Sequence, residues 1–347
     1  MNLPLLFRYT TAFLSYSRRK TILGYPPLFY SIEATNVCNF QCRYCPQGYE
    51  PYGSHQGNPS AGDLKKGRMS VSLFESMLRQ IAELRPVSRV YLTGTGEPLL
   101  HPELEEFVSL SNRYGFVPSF SSNGSLFSQK RSRSLLDSGR FLLTVDFSPS
   151  KSIYEDYRCG GNWETVYANL KNLLTLKRES GGDYPKVEIR DMSTIAMNSV
   201  KEKERSLSDL REMFVDLPVE RYSQLKAHRW TGNIDKDIRA AKANNGSYKL
   251  CTHPWSIFVV AWNGDVVACC RDLECQYVVG RVDGRESIME IWNGEKMQTL
   301  RKALAAKRPE DISICKGCDR PLTGGSVARS KSQMIRAIFW DKIASRQ

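Results

Sequence analysis

The sequence predicts an α/β protein: a partial, parallel (β/α)6 TIM-like barrel with an open side, followed by a small cysteine-rich module. Three observations predict it. Strand-sized apolar runs alternate with helix-period segments from about residue 28 to residue 225, the mark of parallel βα units. About six such units are present, short of the eight that close a full barrel. After residue 249 the texture changes: Asn263-Gly264 separates two apolar runs as a hairpin turn, and six of the ten cysteines fall in this last part.

The elements follow in order. Residues 1–27 form a first segment, whose first 22 residues carry Arg8, Arg18, Arg19 and Lys20 and no acid. Leu3, Leu6, Phe7, Thr10, Phe13 and Leu14 share one face at helical spacing, and Pro4 suits a first turn. Such a helix can make peripheral contact with an anionic membrane, lie near an anionic substrate, or pack on the outside of the domain. The barrel occupies residues 28–230. Its strands are read at Leu28–Ala34, Arg89–Thr93, Val117–Ser121, Phe141–Phe147, Val187–Met192 and Glu220–Leu225. Its helices are read at Ser70–Leu84 with Ser70 as cap, Pro102–Tyr114, Ser128–Asp137, Trp163–Arg178 and Leu207–Phe214. Residues 231–249 are polar and Asn/Gly-rich, as in a linker. The module spans 250–325, with strands Ile257–Ala261 and Val266–Cys269, then short helices Ser287–Trp292 and Lys296–Ala306. A basic helix is expected over 326–347.

Composition narrows the class. In 347 residues, 41% are hydrophobic and 25% charged, which excludes a disordered chain, a collagen and a coiled-coil rod. Lys+Arg 49 against Asp+Glu 37 gives +12, an excess that favours anionic partners without choosing among them. The basic residues lack the aromatic interleaving of a single-strand binder, so no nucleic acid is expected as a partner. No apolar run reaches the length of a membrane span, and the N-terminal charges follow the apolar residues, unlike a signal peptide. The expected location is cytoplasmic, where thiols stay reduced and clustered cysteines read as metal or iron–sulfur ligands.

The first cluster is Cys38-Asn-Phe-Gln-Cys42-Arg-Tyr-Cys45, a C-x3-C-x2-C just past the first strand. Parallel α/β sheets place their sites at that strand end. Three thiolates this close can hold three irons of a [4Fe–4S] cluster and leave the fourth open. A zinc site would need a distant fourth ligand, since the closest histidine, His55, lies in a loop. No P-loop, Rossmann fingerprint or Ser–His–Asp arrangement competes with this reading.

With these residues the sequence resembles the radical S-adenosylmethionine (SAM) superfamily. Its C-x3-C-x-aromatic-C motif is matched with Tyr44 at the aromatic position, and the resemblance runs through most of residues 30–200. Thr93-Gly94-Thr95-Gly96-Glu97-Pro98 resembles the family's GGEP segment, with Thr95 in place of its first glycine. The resemblance implies that Gly94, Gly96 and Glu97 bind SAM, Glu97 facing the methionine ammonium. Ser121-Ser122-Asn123-Gly124 resembles the segment that contacts ribose and methionine, which implicates Ser122 and Asn123. Thr144-Val145-Asp146 stands where many members read Ser-Leu-Asp, so Asp146 joins the SAM set. Arg158 is placed either at the SAM carboxylate, at an anionic substrate, or in a surface ion pair. The family reaction cleaves SAM reductively to a 5′-deoxyadenosyl radical, which takes hydrogen from a substrate. An outside flavodoxin- or ferredoxin-like reductant is implied.

The second cluster has Cys251, Cys269 eighteen positions later, and Cys315-x2-Cys318. Together with Cys251-Thr-His-Pro-Trp255, Trp262-Asn-Gly-Asp265, Cys269-Cys270-Arg-Asp272 and Ile291-Trp292-Asn293, this resembles the SPASM/twitch modules appended to radical SAM enzymes. No cysteine follows Cys318, so the match is to the shortened, twitch-like form with one auxiliary [4Fe–4S] cluster on Cys251, Cys269, Cys315 and Cys318. Four thiolates also suit structural zinc. Cys159, Cys270 and Cys275 are left over and read as small buried hydrophobes or, sharper, as a hydrogen-atom donor. Cys159, in Tyr157-Arg158-Cys159-Gly160-Gly161 after a strand end, is the catalytic candidate among them. His253 reads as a ligand or a packing position, His101 and His228 as ordinary, and Trp230 as pocket lining or core.

The expected function is dehydrogenation of a small polar molecule, a sugar or aminocyclitol-like alcohol, with the auxiliary cluster taking the electron. The other readings are redox-neutral epimerisation with a cysteine donor, maturation of a peptide, and a non-enzymatic iron–sulfur carrier. A peptide maturase often carries a wing-and-helix leader-binding domain, for which the N-terminal segment is too short. A carrier would normally close its cluster with a fourth ligand.

Overall fold

The computed structural model describes residues 3–45, 66–85, 89–225, 248–318 and 320. The expected helix over 326–347, residues 231–247 of the expected linker, and His55, His228 and Trp230 lie outside the described residues.

Helix α1 (Leu3–Ser17) is present, but another face is buried. Leu5, Arg8, Tyr9, Ala12 and Ser15 are buried, whereas Phe7 and Leu14 of the expected face are exposed. The reason lies in amphipathic side chains whose tips find acceptors. Arg8 Nη2 donates to Leu84 O at 2.7 Å, and Tyr16 Oη donates to Leu250 O at 2.6 Å. The Tyr9 ring meets Phe29 edge-on, as the Tyr16 ring meets Trp255. The helix packs on the outside of the domain.

The barrel then runs β1 (Phe29–Ile32), β2 (Gln41–Cys42), α2 (Val71–Glu83), β3 (Arg89–Tyr91), α3 (Leu104–Arg113), β4 (Ser119–Ser122) and α4 (Gln129–Asp137). It continues with β5 (Leu142–Phe147), α5 (Lys151–Tyr157), β6 (Arg158–Cys159), α6 (Trp163–Ser180), β7 (Lys186–Asp191), α7 (Val200–Glu212) and β8 (Arg221–Gln224). Ser70, Ser128, Ser150, Asn162 and Ser199 cap their helices, each side chain accepting from the backbone N–H three residues on. Helix α7 begins seven residues before the sequence expectation, at a Ser199/Glu202 capping box. Its first turns are charged and bury little, so no apolar stripe announces them; Ser206 and Leu210 are its buried residues. Helix α5 was not expected at all.

The six expected strands β1, β3, β4, β5, β7 and β8 form neighbouring parallel pairs in that order. The module supplies β9 (Ile257–Val260), β10 (Asp265–Val267), β11 (Val278–Arg281), α8 (Ile288–Trp292) and α9 (Glu295–Ala305). Its hairpin is where Asn263-Gly264 places it, with Gly264 at φ +90°. It is not a separate sheet. Strand β9 pairs in parallel with β1, from Phe29–Ile257 to Ile32–Val260, so one nine-stranded sheet runs β11-β10-β9-β1-β3-β4-β5-β7-β8. The module therefore flanks the strand that leads into the first cysteine loop.

The inner and outer faces are filled as alternation requires. Leu143, Val145 and Phe147 of β5 are buried, and Phe147 packs with Tyr154, Trp163, Tyr167 and Phe214. Between α2 and α3, Phe74 stacks on Phe107 at 4.2 Å between centroids.

Candidate active site

The first cysteine group sits on the loop after β1, and the loop is braced from a distance. Strand β2 pairs antiparallel with β6, setting Gln41 opposite Cys159 and Cys42 opposite Arg158. Arg43 N donates to Tyr157 O at 3.0 Å, and its guanidinium pairs with Asp156 at 2.8 Å. Cys45 N donates to Cys42 O at 3.0 Å, folding the last cysteine back over the second. All three thiols are free of disulfides. Burial pushes the Cys38 and Cys42 thiols up, while Arg158 pulls both down. A donor set of one buried and two half-buried thiols beside a fixed cation fits an iron–sulfur cluster, whose positive irons favour the thiolates that burial opposes.

The glycine segment after β3 owes its composition to close approach. A Cβ on Gly96 would stand 2.2 Å from Thr35 O and 2.7 Å from Val37 O. One on Gly94 would stand 2.4 Å from Glu33 Cγ. Glycine at 96 lets Glu97 N donate to Val37 O at 2.8 Å, which joins this segment to the cysteine loop. Glu97 is buried, and burial raises its carboxyl against the pull of its donors. Its Oε1 accepts from Ser122 Oγ at 2.8 Å and Leu99 N at 3.1 Å; its Oε2 accepts from Asn123 N at 2.7 Å. Asn123 Nδ2 in turn donates to Asn39 Oδ1 at 2.9 Å. The structure thus brings Gly96, Glu97, Ser122, Asn123 and the residue after Cys38 into one network.

Asp146, at the end of β5, pairs with two guanidiniums, Arg158 at 3.1 Å and Arg190 of β7. Burial opposes its charge, but the two arginines hold it below the usual carboxylate range. Arg158 is buried; burial alone would lower it, and Tyr44, Cys42 and Asp146 around it raise it overall. Its guanidinium lies 5.5 Å from the Tyr44 ring centroid, a cation–π contact. Tyr44, Cys42, Asp146 and Arg158 are therefore one cluster. Cys159 lies beside it in β6, with Sγ 3.6 Å from Asp156 O.

In the module, Cys251, Cys269, Cys315 and Cys318 line one small cavity with His253 and Arg271. Burial and neighbouring sulfurs push Cys251 up to about 12, and burial with the same mutual repulsion raises Cys315. Four half-buried thiols that repel one another when ionised suit a metal or cluster that neutralises them. His253 Nδ1 stands 3.3 Å from Cys269 Sγ and 3.8 Å from Cys270 Sγ. These three are the group of potential ligand atoms within 4.8 Å of one another among the described residues. The vicinal Cys270 is thus nearer the auxiliary site than its place outside the motif spacing suggested.

Between barrel and module lies a cavity of about 450 Å³, lined by Glu33, Gly94 and Arg190 on one side and Cys270, Arg271 and Cys275 on the other. Glu33 is the residue the sequence reading missed. It is buried at the end of β1, and its Oε1 accepts from Thr95 N and Thr95 Oγ1, both at 2.9 Å. Its Oε2 accepts from Trp262 N at 3.3 Å, across to the module hairpin. Burial raises its carboxyl. An acid at the apolar end of a strand, five residues before Cys38, was the available signal.

Comparison with known proteins agrees with this layout. The radical SAM superfamily family model matches residues 32–182, and the SPASM model, an iron–sulfur cluster-binding domain, matches residues 251–319. The chain is 23% identical over 292 residues to the S-adenosyl-L-methionine-dependent 2-deoxy-scyllo-inosamine dehydrogenase of Niallia circulans, covering 83% of this chain and 91% of that protein. The crystal structure of BtrN in complex with AdoMet and 2-DOIA superposes with a TM-score of 0.55 at 20% identity, over 88% of this chain and 96% of that one. The crystal structure of Streptococcus suis SuiB bound to precursor peptide SuiA gives a TM-score of 0.60 at 13% identity, over 88% and 74%. These structural likenesses establish the shared fold.

Proposed function

Since the chain belongs to the radical SAM superfamily and carries a C-terminal SPASM module, we propose that it dehydrogenates a small polar alcohol of the sugar or aminocyclitol class. A cluster at Cys38, Cys42 and Cys45 with bound SAM would supply a 5′-deoxyadenosyl radical, and a second at Cys251, Cys269, Cys315 and Cys318 would supply an electron sink. One observation carries the reading. The 450 Å³ cavity touches Gly94 of the SAM segment on one side and Cys269 of the auxiliary set on the other. Its size suits a single sugar-like ring with polar neighbours.

The chain's own residues would bind and orient. Gly94 and Gly96 let the segment after β3 lie against Glu33, Thr35 and Val37, which would set its backbone beside the cofactor at the cysteine loop. Glu97, with Ser122 and Asn123, would hold the methionine end, and Asp146 would fix Arg158 and Tyr44 beside the first cluster. The buried Nε of Arg158 has no hydrogen-bond partner among the described residues, so it suits the SAM carboxylate. The module forms one wall of the cavity through Cys270, Arg271 and Cys275. The N. circulans dehydrogenase acts, by its name, on 2-deoxy-scyllo-inosamine, which supports the proposed substrate class. A flavodoxin- or ferredoxin-like protein is the proposed reductant. No described helix is long and apolar enough to cross a membrane, and peripheral contact through exposed Phe7 and Leu14 remains a proposal.

A second reading, redox-neutral epimerisation with a cysteine hydrogen donor, draws on Cys270 and Cys275 lining the cavity; Cys159 lies in β6 instead. One experiment separates the two. The reconstituted enzyme is incubated anaerobically with SAM, a reductant and a panel of sugars and aminocyclitols. Ketone formed with 5′-deoxyadenosine supports dehydrogenation. Inverted alcohol with solvent deuterium incorporated supports epimerisation, and 5′-deoxyadenosine with neither product across the panel sinks both.

A further inference from the structure

Arg271 follows the vicinal pair Cys269-Cys270 and is buried, 6% exposed. Its backbone N–H donates to Cys269 Sγ at 3.3 Å, and its guanidinium Nη1 donates to Cys318 Sγ at 3.5 Å. One residue therefore serves two of the four auxiliary sulfurs, one from the hairpin and one from the late C-x2-C. It also lines both the auxiliary cavity and the 450 Å³ cavity.

The potential of an iron–sulfur cluster depends on net charge, hydrogen bonds to its sulfurs and solvent exposure. Reduction adds negative charge. A buried cation and two donors aimed at the ligand sulfurs stabilise the reduced form more than the oxidised form, and low dielectric strengthens both effects. We propose that Arg271 sets the reduction potential of the auxiliary cluster, raising it so that the cluster accepts an electron from the side of the cavity. Arg271 is a positioning residue and acts through Cys269 and Cys318. The inference rests on the auxiliary cluster alone and holds for either substrate reading.

The test uses the full chain, reconstituted, carrying Cys38→Ala/Cys42→Ala/Cys45→Ala so that only the auxiliary cluster titrates. EPR-monitored potentiometry is run on this protein and on its Arg271→Gln and Arg271→Met versions. Arg285→Gln, at a side chain 88% exposed, removes the same charge from the surface. The expected result is a shift to lower potential in both Arg271 variants, with iron content retained and Arg285→Gln unmoved. An unchanged potential in loaded Arg271 variants overturns the proposal, as does zinc in place of iron. Wild-type side chains at 271 provide a second measurement that needs no variant there. With ¹⁵N-arginine labelling, pulsed EPR of the reduced cluster is expected to show nitrogen coupling, and its absence overturns the contact on which the proposal stands.

Discussion

Cys42 and Arg158 face each other across the antiparallel pair β2–β6, and the same arginine reaches Asp146 at 3.1 Å. The middle cysteine of the motif is thus held by a residue that arrives 116 positions later in the chain and is itself fixed by the end of β5. Cluster loop and barrel strand are tied through one buried guanidinium. Breaking a buried pair from one side leaves an uncompensated charge and costs roughly 3–5 kcal/mol. Arg190 stays on Asp146 and offsets part of this. Arg158→Met is therefore expected to lower stability by about 3 kcal/mol and to reduce iron loading at the first site. Anaerobic thermal unfolding and iron counts check it, and Arg158→Lys, which keeps charge but not the planar fork, is expected to fall between.

Gly96→Ala tests close approach. The new methyl meets two backbone carbonyls, Thr35 O and Val37 O, and neither can swing away as a side chain would. Val37 directly precedes Cys38, so the strain falls on the cluster loop. A loss of about 1–3 kcal/mol is expected, with reduced SAM cleavage. Gly24→Ala meets nothing within 4 Å and is expected to be neutral. Equal behaviour of the two variants in thermal unfolding would refute the packing argument.

Glu97→Gln tests the acceptor network. The carboxylate takes three donors, from Ser122, Leu99 and Asn123. Glutamine presents one oxygen and one NH2, so at least one buried donor faces another donor. A cost of about 1–3 kcal/mol follows. Because Asn123 also holds Asn39, the expected signature is weaker SAM binding by calorimetry together with a lower unfolding midpoint. A normal midpoint with weak binding would place Glu97 at the ligand alone.

Much of this layout is local and hence legible. The Ser70 cap, the Asn263-Gly264 hairpin and the three close cysteines each lie within a few residues of what they specify. What escaped is long-range. Nothing within Ile257–Val260 says that it will pair in parallel with Phe29–Ile32, because both are short apolar runs that satisfy any neighbour. Glu33 looks out of place in a strand until Thr95 and Trp262 supply its donors from 62 and 229 positions away. Helix α1 misled the reading because Tyr9, Tyr16 and Arg8 can bury apolar bodies once distant carbonyls meet their tips. Arg271 gained its significance only when Cys318 was folded back beside it.

Asp272 carries the last prediction, a pH dependence. It is buried, with Oδ1 accepting from Gln276 N and Oδ2 from Tyr277 N, each at 2.8 Å. Burial pushes its carboxyl up to about 6, against 3.8 when unperturbed, and the two N–H donors only partly offset this. The folded protein therefore holds a proton over a range where the unfolded chain has released it. Stability from this group is present below about pH 4 and is lost as pH rises through about 6. At about 1.4 kcal/mol for each pH unit separating the two values, the loss is about 3 kcal/mol. Asp272→Asn cannot ionise, but it leaves one N–H without an acceptor, a cost that does not vary with pH. At pH 5 the wild type is expected to be the more stable; by pH 7.5 the gap is expected to narrow or reverse. Anaerobic thermal unfolding of both proteins across that range reads it, and a gap that stays constant with pH would show that Asp272 is ionised throughout in the folded chain.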